Sequence, residues 1–142
     1  MNRFIVADAA SCIGCHACEI ACVTAHHQDV WPQQRRHFLP RIHIVFHRNE
    51  SRAATCHHCN DAPCVTSCPT QALYLANDSI QLRQAQCIGC KNCVIACPFG
   101  AIEMTSAAAD APQLAQKCDL CSEHASGQQA CVAACPTQAL KL

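Results

Sequence analysis

Aromatic side chains make up only 4% of this 142-residue chain: Phe4, Trp31, Phe38, Phe46, Tyr74 and Phe99. A core so poor in large rings must be packed by Ile, Val, Leu and Ala around something that is not protein. Charge is also sparse at 14% of residues, and the ten basic and ten acidic side chains cancel. That balance argues against nucleic acid or an anionic membrane surface as a partner. No apolar run approaches the roughly 20 residues of a membrane span. No charged segment followed by an apolar stretch opens the chain, and Arg35-Arg36 lies too far along it to act as an export signal. The expectation is a soluble, cytoplasmic protein. A phosphate-binding glycine loop, a nucleophile–base pair and an open metal position are missing as well. Bond-making catalysis is therefore expected to reside in a partner, and the chain itself is not expected to be an enzyme.

What the chain has instead is sixteen cysteines in four groups of four: Cys12, Cys15, Cys18, Cys22; Cys56, Cys59, Cys64, Cys68; Cys87, Cys90, Cys93, Cys97; and Cys118, Cys121, Cys131, Cys135. Groups one and three run C-x2-C-x2-C-x3-C, and groups two, three and four end in Cys-Pro. This is the spacing with which bacterial ferredoxins hold cubane clusters, so each group predicts the ligands of one [4Fe-4S] cluster, four in all. Three thiolates two residues apart wrap one cubane in a tight turn. The fourth, set beyond a short helical stretch, faces the neighbouring cluster. Gly14 and Gly89, each just before a ligand, are expected to permit close backbone approach.

Other readings of the cysteines fit less well. A disulfide framework belongs to secreted chains. Structural zinc prefers two pairs separated by a longer loop, which only Cys118-x2-Cys121 with Cys131-x3-Cys135 resembles. Cys12-Ile13-Gly14-Cys15-His16 matches a c-type haem attachment site in form, but it sits inside a four-cysteine motif. At roughly 35 residues per group the protein alone cannot bury a comfortable core, so metal staples must supply the difference. Ligating thiols are deprotonated, which makes the loaded protein acidic.

Internal repeats organise the chain. Cys68-Pro69-Thr70-Gln71-Ala72-Leu73 recurs as Cys135-Pro136-Thr137-Gln138-Ala139-Leu140, with Cys97-Pro98-Phe99-Gly100-Ala101-Ile102 as a third copy. Each leads from a turn into an apolar segment that reads as a strand. Between Cys68 and Cys87 lie two short strands about an Asn77-Asp78 turn, the compact link of a two-cluster ferredoxin. Groups two and three are thus expected to form one module over residues 53–105. By elimination groups one and four form an outer module, residues 1–52 plus 106–142, closed by Phe4–Ala7 and Ala139–Leu142 as pairing strands. Consecutive pairing, one with two and three with four, is the alternative. The expected fold is α+β: two 2×[4Fe-4S] ferredoxin-like modules, one inserted into the other, with short antiparallel strands and short helices. If the fourth cysteines cross over, the ligand sets are Cys12, Cys15, Cys18 with Cys135; Cys118, Cys121, Cys131 with Cys22; Cys56, Cys59, Cys64 with Cys97; and Cys87, Cys90, Cys93 with Cys68.

Between the modules, Val23–Val30 is expected to continue a helix that Trp31-Pro32 ends. Ile42, Ile44 and Phe46 alternate as one face of a strand. Trp31 and Phe38 are expected to pack, and Thr105–Gln116 reads as a linker. The histidines, His26, His27, His43, His47, His57 and His58 among them, meet groups already supplied with four thiols. They are expected to face solvent or lie beside the ligands, with His57 and His58 placed to donate toward sulfur or hold a proton. Lys91, next to Cys90, is expected to raise its cluster's potential.

Several segments together carry a family resemblance: Met1-Asn2-Arg3-Phe4-Ile5-Val6-Ala7-Asp8, Cys56-His57-His58-Cys59-Asn60-Asp61-Ala62-Pro63-Cys64, Cys97-Pro98-Phe99-Gly100-Ala101 and Lys117-Cys118-Asp119-Leu120-Cys121. The chain resembles the four-[4Fe-4S] electron-transfer subunits of formate hydrogenlyase, formate dehydrogenase and dimethyl sulfoxide reductase, and most of all their small formate- and hydrogen-linked members. The resemblance implies two ferredoxin-like halves with groups one and four paired. It also implies single-electron relay to or from a catalytic partner, a molybdopterin formate dehydrogenase or a hydrogenase. An accessory role in maturing such an enzyme is the alternative. Cys22 departs from the pattern, being followed by Val23 rather than proline.

Overall fold

A computed structural model describes residues 3–26, 38–106, 110–122 and 127–142. In chain order the elements are β1 (Val6–Ala7), α1 (Ala17–His26), β2 (His43–His47), β3 (Glu50–Ala54), α2 (Pro63–Ser67), β4 (Leu73–Ala76), β5 (Ser79–Leu82), α3 (Asn92–Ala96), β6 (Glu103–Thr105), β7 (Leu114–Gln116), α4 (Ala130–Ala134) and β8 (Leu140–Lys141). Among the described residues the strands form four separate antiparallel pairs, β1–β8, β2–β3, β4–β5 and β6–β7. By packing, the chain divides into two compact units, Met1–Phe4 with Cys56–Asp119 and Ile5–Thr55 with Leu120–Leu142.

In the first unit the Asn77-Asp78 turn takes positive φ at both residues, 52° and 61°. That is the backbone a two-residue hairpin needs, and it pairs Ala76 with Ser79 and Leu73 with Leu82. Leu73, Ile80, Ile102 and Ala115 form the core with Ala62, Cys64 and Cys93. Leu73 and Ile80 are each 2% exposed, and burying such a side chain contributes about 1.5–3 kcal/mol. The stretch expected as a linker over 105–116 contains β7 instead, paired with β6 from Glu103↔Gln116 to Thr105↔Leu114. Its Ala115 enters the core, so residues 110–119 pack with this unit, whereas the spacing assigned them to the outer module.

In the second unit α1 packs on α4, and the chain ends meet as β1 and β8, Val6 opposite Lys141. Ile5, Val23, Ile42, Ala139 and Leu140 are buried. Glu19, in the first turn of α1, accepts the Ile44 N–H at 2.7 Å with one carboxylate oxygen and pairs His16 Nδ1 at 2.9 Å with the other. It ties the helix to the β2–β3 hairpin. The expected strand face is only partly covered: Ile42 is buried, Ile44 half-buried and Phe46 exposed. The expected continuation of α1 past His26, and Trp31-Pro32, lie outside the described residues. Among those described, no helix is long and apolar enough to cross a membrane.

Candidate metal centres

Three of the four helices adjoining cysteine groups are a single turn and a half long and stop at the last cysteine. α2, α3 and α4 end against Cys68, Cys97 and Cys135, whose ψ values are 114°, 117° and 116°. The following proline clashes with a helical conformation at the residue before it, so each of these cysteines is driven into extended backbone. The next step is common to all three. Gln71, Gly100 and Gln138, three residues after each cysteine, have φ of 56°, 62° and 55°. This left-handed turn sends the following N–H back to sulfur: Ala72 N to Cys68 Sγ at 3.3 Å, Ala101 N to Cys97 Sγ at 3.5 Å and Ala139 N to Cys135 Sγ at 3.3 Å. Cys22 has no proline after it, and α1 runs through it to His26.

The loops carrying the leading cysteines are built on the same backbone conformation. Gly14 and His16 (φ 69° and 64°) repeat as Gly89 and Lys91 (71° and 68°). At Gly89 a Cβ would lie 2.5 Å from the Gln113 carbonyl oxygen, and at Gly14 it would lie 2.9 Å from the Phe46 ring. Both glycines therefore serve conformation and close approach together. Further donors reach sulfur, one from within the loop, His58 N to Cys56 at 3.4 Å, and two from elsewhere in the fold, Ala115 N to Cys87 at 3.4 Å and Arg41 N to Cys22 at 3.3 Å. Ser51 Oγ donates to Cys12 Sγ at 3.6 Å, and the Thr70 and Thr137 hydroxyls lie 3.7 Å from Cys68 and Cys135.

Among the described residues, two cavities collect cysteines from separate motifs. One, in the second unit, is lined by Cys12, Cys15, Cys18 and Cys135 with Ile44, Ala53 and Leu140. The other, in the first unit, is lined by Cys87, Cys90, Cys93 and Cys68 with Leu73, Leu82 and Met104. Cys56, Cys59, Cys64 and Cys97 fall close enough to act on one another's charge: burial raises the Cys59 and Cys64 thiols, and Cys56 and Cys97 add to both. By packing, Cys118 belongs to the first unit, and Cys22, Cys121 and Cys131 to the second; all four are buried.

The third cysteines of groups one to three and the fourth of groups two and four are electrostatically opposite. Burial pushes Cys18 and Cys64 up to about 11 and raises Cys93 as well. Burial also acts on Cys68 and Cys135, but the backbone N–H groups and the Thr70 and Thr137 hydroxyls outweigh it and hold both below the usual thiol value. All sixteen cysteines are free thiols. Free thiols lining apolar-walled cavities, with N–H groups aimed at sulfur, are the donor set an iron–sulfur cluster requires.

Residues 48–142 match the 4Fe-4S dicluster domain family, and residues 9–24 match a 4Fe-4S binding domain. The electron transport protein HydN of Escherichia coli (strain K12) is 46% identical over 99% of this chain and 87% of its own. The chain belongs to the 4Fe-4S ferredoxin-type electron-transfer family. Formate hydrogenlyase subunit 2 of the same strain is 39% identical over all of this chain and 82% of its own. UacF of that strain, named as an oxidoreductase, is 56% identical over all of this chain, which spans only 21% of UacF.

The histidines expected beside the cysteine groups take defined places, and Lys117, which the spacing did not single out, joins them. His58 is wholly buried, and its Nδ1 accepts the Ile80 N–H at 2.9 Å, which leaves the ring proton on Nε2. Burial, and then Lys117, push its pKa down to about 3, which favours the neutral ring; of the two roles expected, donation toward sulfur is met by its backbone N–H, which reaches Cys56 Sγ. His57 stacks between Phe99 at 3.8 Å and Phe4 at 5.0 Å. His26 Nδ1 donates to the Cys22 carbonyl at 2.7 Å and lies 3.6 Å from its sulfur. Lys91 is exposed, where water screens its charge, whereas Lys117 is buried. Trp31 and His27 lie outside the described residues.

Proposed function

We propose that this protein relays single electrons through four [4Fe-4S] clusters, held by the four ligand sets that the spacing assigns, to or from a catalytic oxidoreductase partner in the cytoplasm. The observation that supports this most is the lining of the two cavities, where three cysteines of one motif meet the last cysteine of another. When bound, such clusters supply reversible one-electron storage. The residues of this chain do the rest. Thiolates hold iron, N–H groups of Ala72, Ala101, Ala115 and Ala139 donate to ligand sulfur, and Ile44, Leu73, Leu82, Met104 and Leu140 wall the sites against water. Cys18, Cys64 and Cys93, whose thiol forms burial favours, must release protons as clusters assemble.

For the partner we infer a molybdopterin formate dehydrogenase or a hydrogenase. Similarity to HydN and to formate hydrogenlyase subunit 2 supports that class. UacF, in which the equivalent region is about a fifth of a longer chain, supports a working position beside an oxidoreductase. Anaerobic purification with iron and sulfide analysis, an EPR-monitored redox titration and identification of what copurifies test the proposal together. About 16 irons per chain, four per cubane, and a large redox enzyme retained in stoichiometric amount are expected. Roughly four irons would remove the relay.

A further inference from the structure

Lys117 is 2% exposed, a position lysine almost never occupies without partners. Its ammonium donates to the carbonyl of Cys118 at 2.5 Å and to the carbonyl of Ile80. Ile80, in β5, donates its own N–H to His58 Nδ1, and the backbone N–H of His58 donates to Cys56 Sγ at 3.4 Å. A continuous set of contacts thus runs from the lysine through one strand residue to the loop carrying Cys56 and Cys59. Lys117 also lies close enough to Cys64 for its charge to be felt there. No equivalent is found beside Cys87, Cys90 and Cys93 among the described residues, where the nearest sequence cation, Lys91, is exposed.

We propose that Lys117 is a positioning residue for electrons: its buried charge raises the reduction potential of the cluster held by Cys56, Cys59, Cys64 and Cys97, so that an electron entering the first unit rests there. The step balances simply. An external one-electron donor is oxidised, the cluster gains one negative charge, no bond forms or breaks and no proton moves. A cation fixed at low dielectric stabilises the more negative state, and it does so far more strongly than an exposed one. The inference rests on the four-cluster reading above.

The test is an EPR-monitored titration with dithionite on the anaerobically loaded full chain, comparing wild type with Lys117→Met and Lys117→Arg. A Cys64→Ser variant identifies the signal by perturbing it. At the wild-type midpoint, Lys117→Met is expected to lower the reduced-to-oxidised ratio of that signal at least tenfold, which is about 59 mV for one electron. Lys117→Arg, which keeps the charge, is expected to stay within about threefold. Full iron content in Lys117→Met with every midpoint unmoved overturns the proposal. If Lys117→Met does not load, Lys117→Arg decides: loading with the midpoint held supports tuning by charge, whereas failure of both to load leaves Lys117 a structural anchor and overturns it. Low iron in wild type itself overturns the four-cluster reading instead.

Discussion

The backbone N–H of Arg41 donates to Cys22 Sγ at 3.3 Å, across nineteen residues of chain, whereas Cys68, Cys97 and Cys135 each receive the N–H of the residue four positions on. The difference begins at one residue. Proline after the other three cysteines turns the chain back at once, but Val23 lets α1 continue to His26, so the fourth cysteine of group one sits within a helix and takes its donor from a distant segment.

Val23→Pro should therefore fail rather than repair the motif. Val23 is 1% exposed, and proline inside α1 costs about 3 kcal/mol or more in addition to the lost packing. Iron content is expected to fall by about four per chain, one cubane, with a lower thermal midpoint. Wild-type iron and stability in this variant would show that the longer helix is dispensable.

The two glycine positions are separable. Gly89→Ala places a Cβ 2.5 Å from the Gln113 carbonyl and adds the left-handed penalty of about 1–2 kcal/mol. Gly100 has φ 62° but open space around its Cβ, and Gln71 and Gln138 occupy its place in the other copies. Gly89→Ala is expected to lose the cluster bound by its loop, and Gly100→Gln to load fully. Iron analysis and thermal unfolding read both, and equal behaviour of the two variants contradicts the prediction.

These contrasts show how far the residues spoke for themselves. The short helical stretch before each fourth cysteine and the β4–β5 hairpin were legible, because cysteine spacing and alternating apolar residues act locally. β7 was not: a strand was expected after the third Cys-Pro copy, where β6 lies, but Leu114–Gln116 is three residues, too short to show alternation, and its pairing with β6 is decided by Ala115 entering a core formed elsewhere. The left-handed turn at Gln71 and Gln138 had one sequence signal, glycine at the third copy. Burial of His58 and Lys117 had none, since a polar side chain is buried only when distant carbonyls and amides receive it.

Exchange of fourth ligands has its own signature. If Cys68 completes the cluster of Cys87, Cys90 and Cys93, then Cys68→Ser must perturb the same EPR signal as Cys90→Ser and spare the one that Cys59→Ser perturbs. The shared cavity motivates this outcome. Coincidence of the Cys68→Ser and Cys59→Ser spectra would place each fourth cysteine on its own motif's cluster.

The turn leading from β1 into the first motif carries a small acid sensitivity. Asp8 accepts the Ser11 hydroxyl at 2.8 Å and the Ala10 N–H at 3.0 Å, and these bonds, the Ser11 hydroxyl first, hold its carboxyl below the usual value. A depressed carboxyl stabilises the folded turn above the unfolded pKa of about 3.9, and the contribution is lost as pH falls through the folded value. Because Asp8 is exposed, the effect is local, and hydrogen exchange at the Ala10 amide, corrected for intrinsic rate, is the measurement suited to it. Wild-type protection should drop as the solution is acidified below about pH 4, while Asp8→Asn, which cannot titrate, should show weaker protection with no such step. A step of equal size in both proteins would assign the acid response to another group.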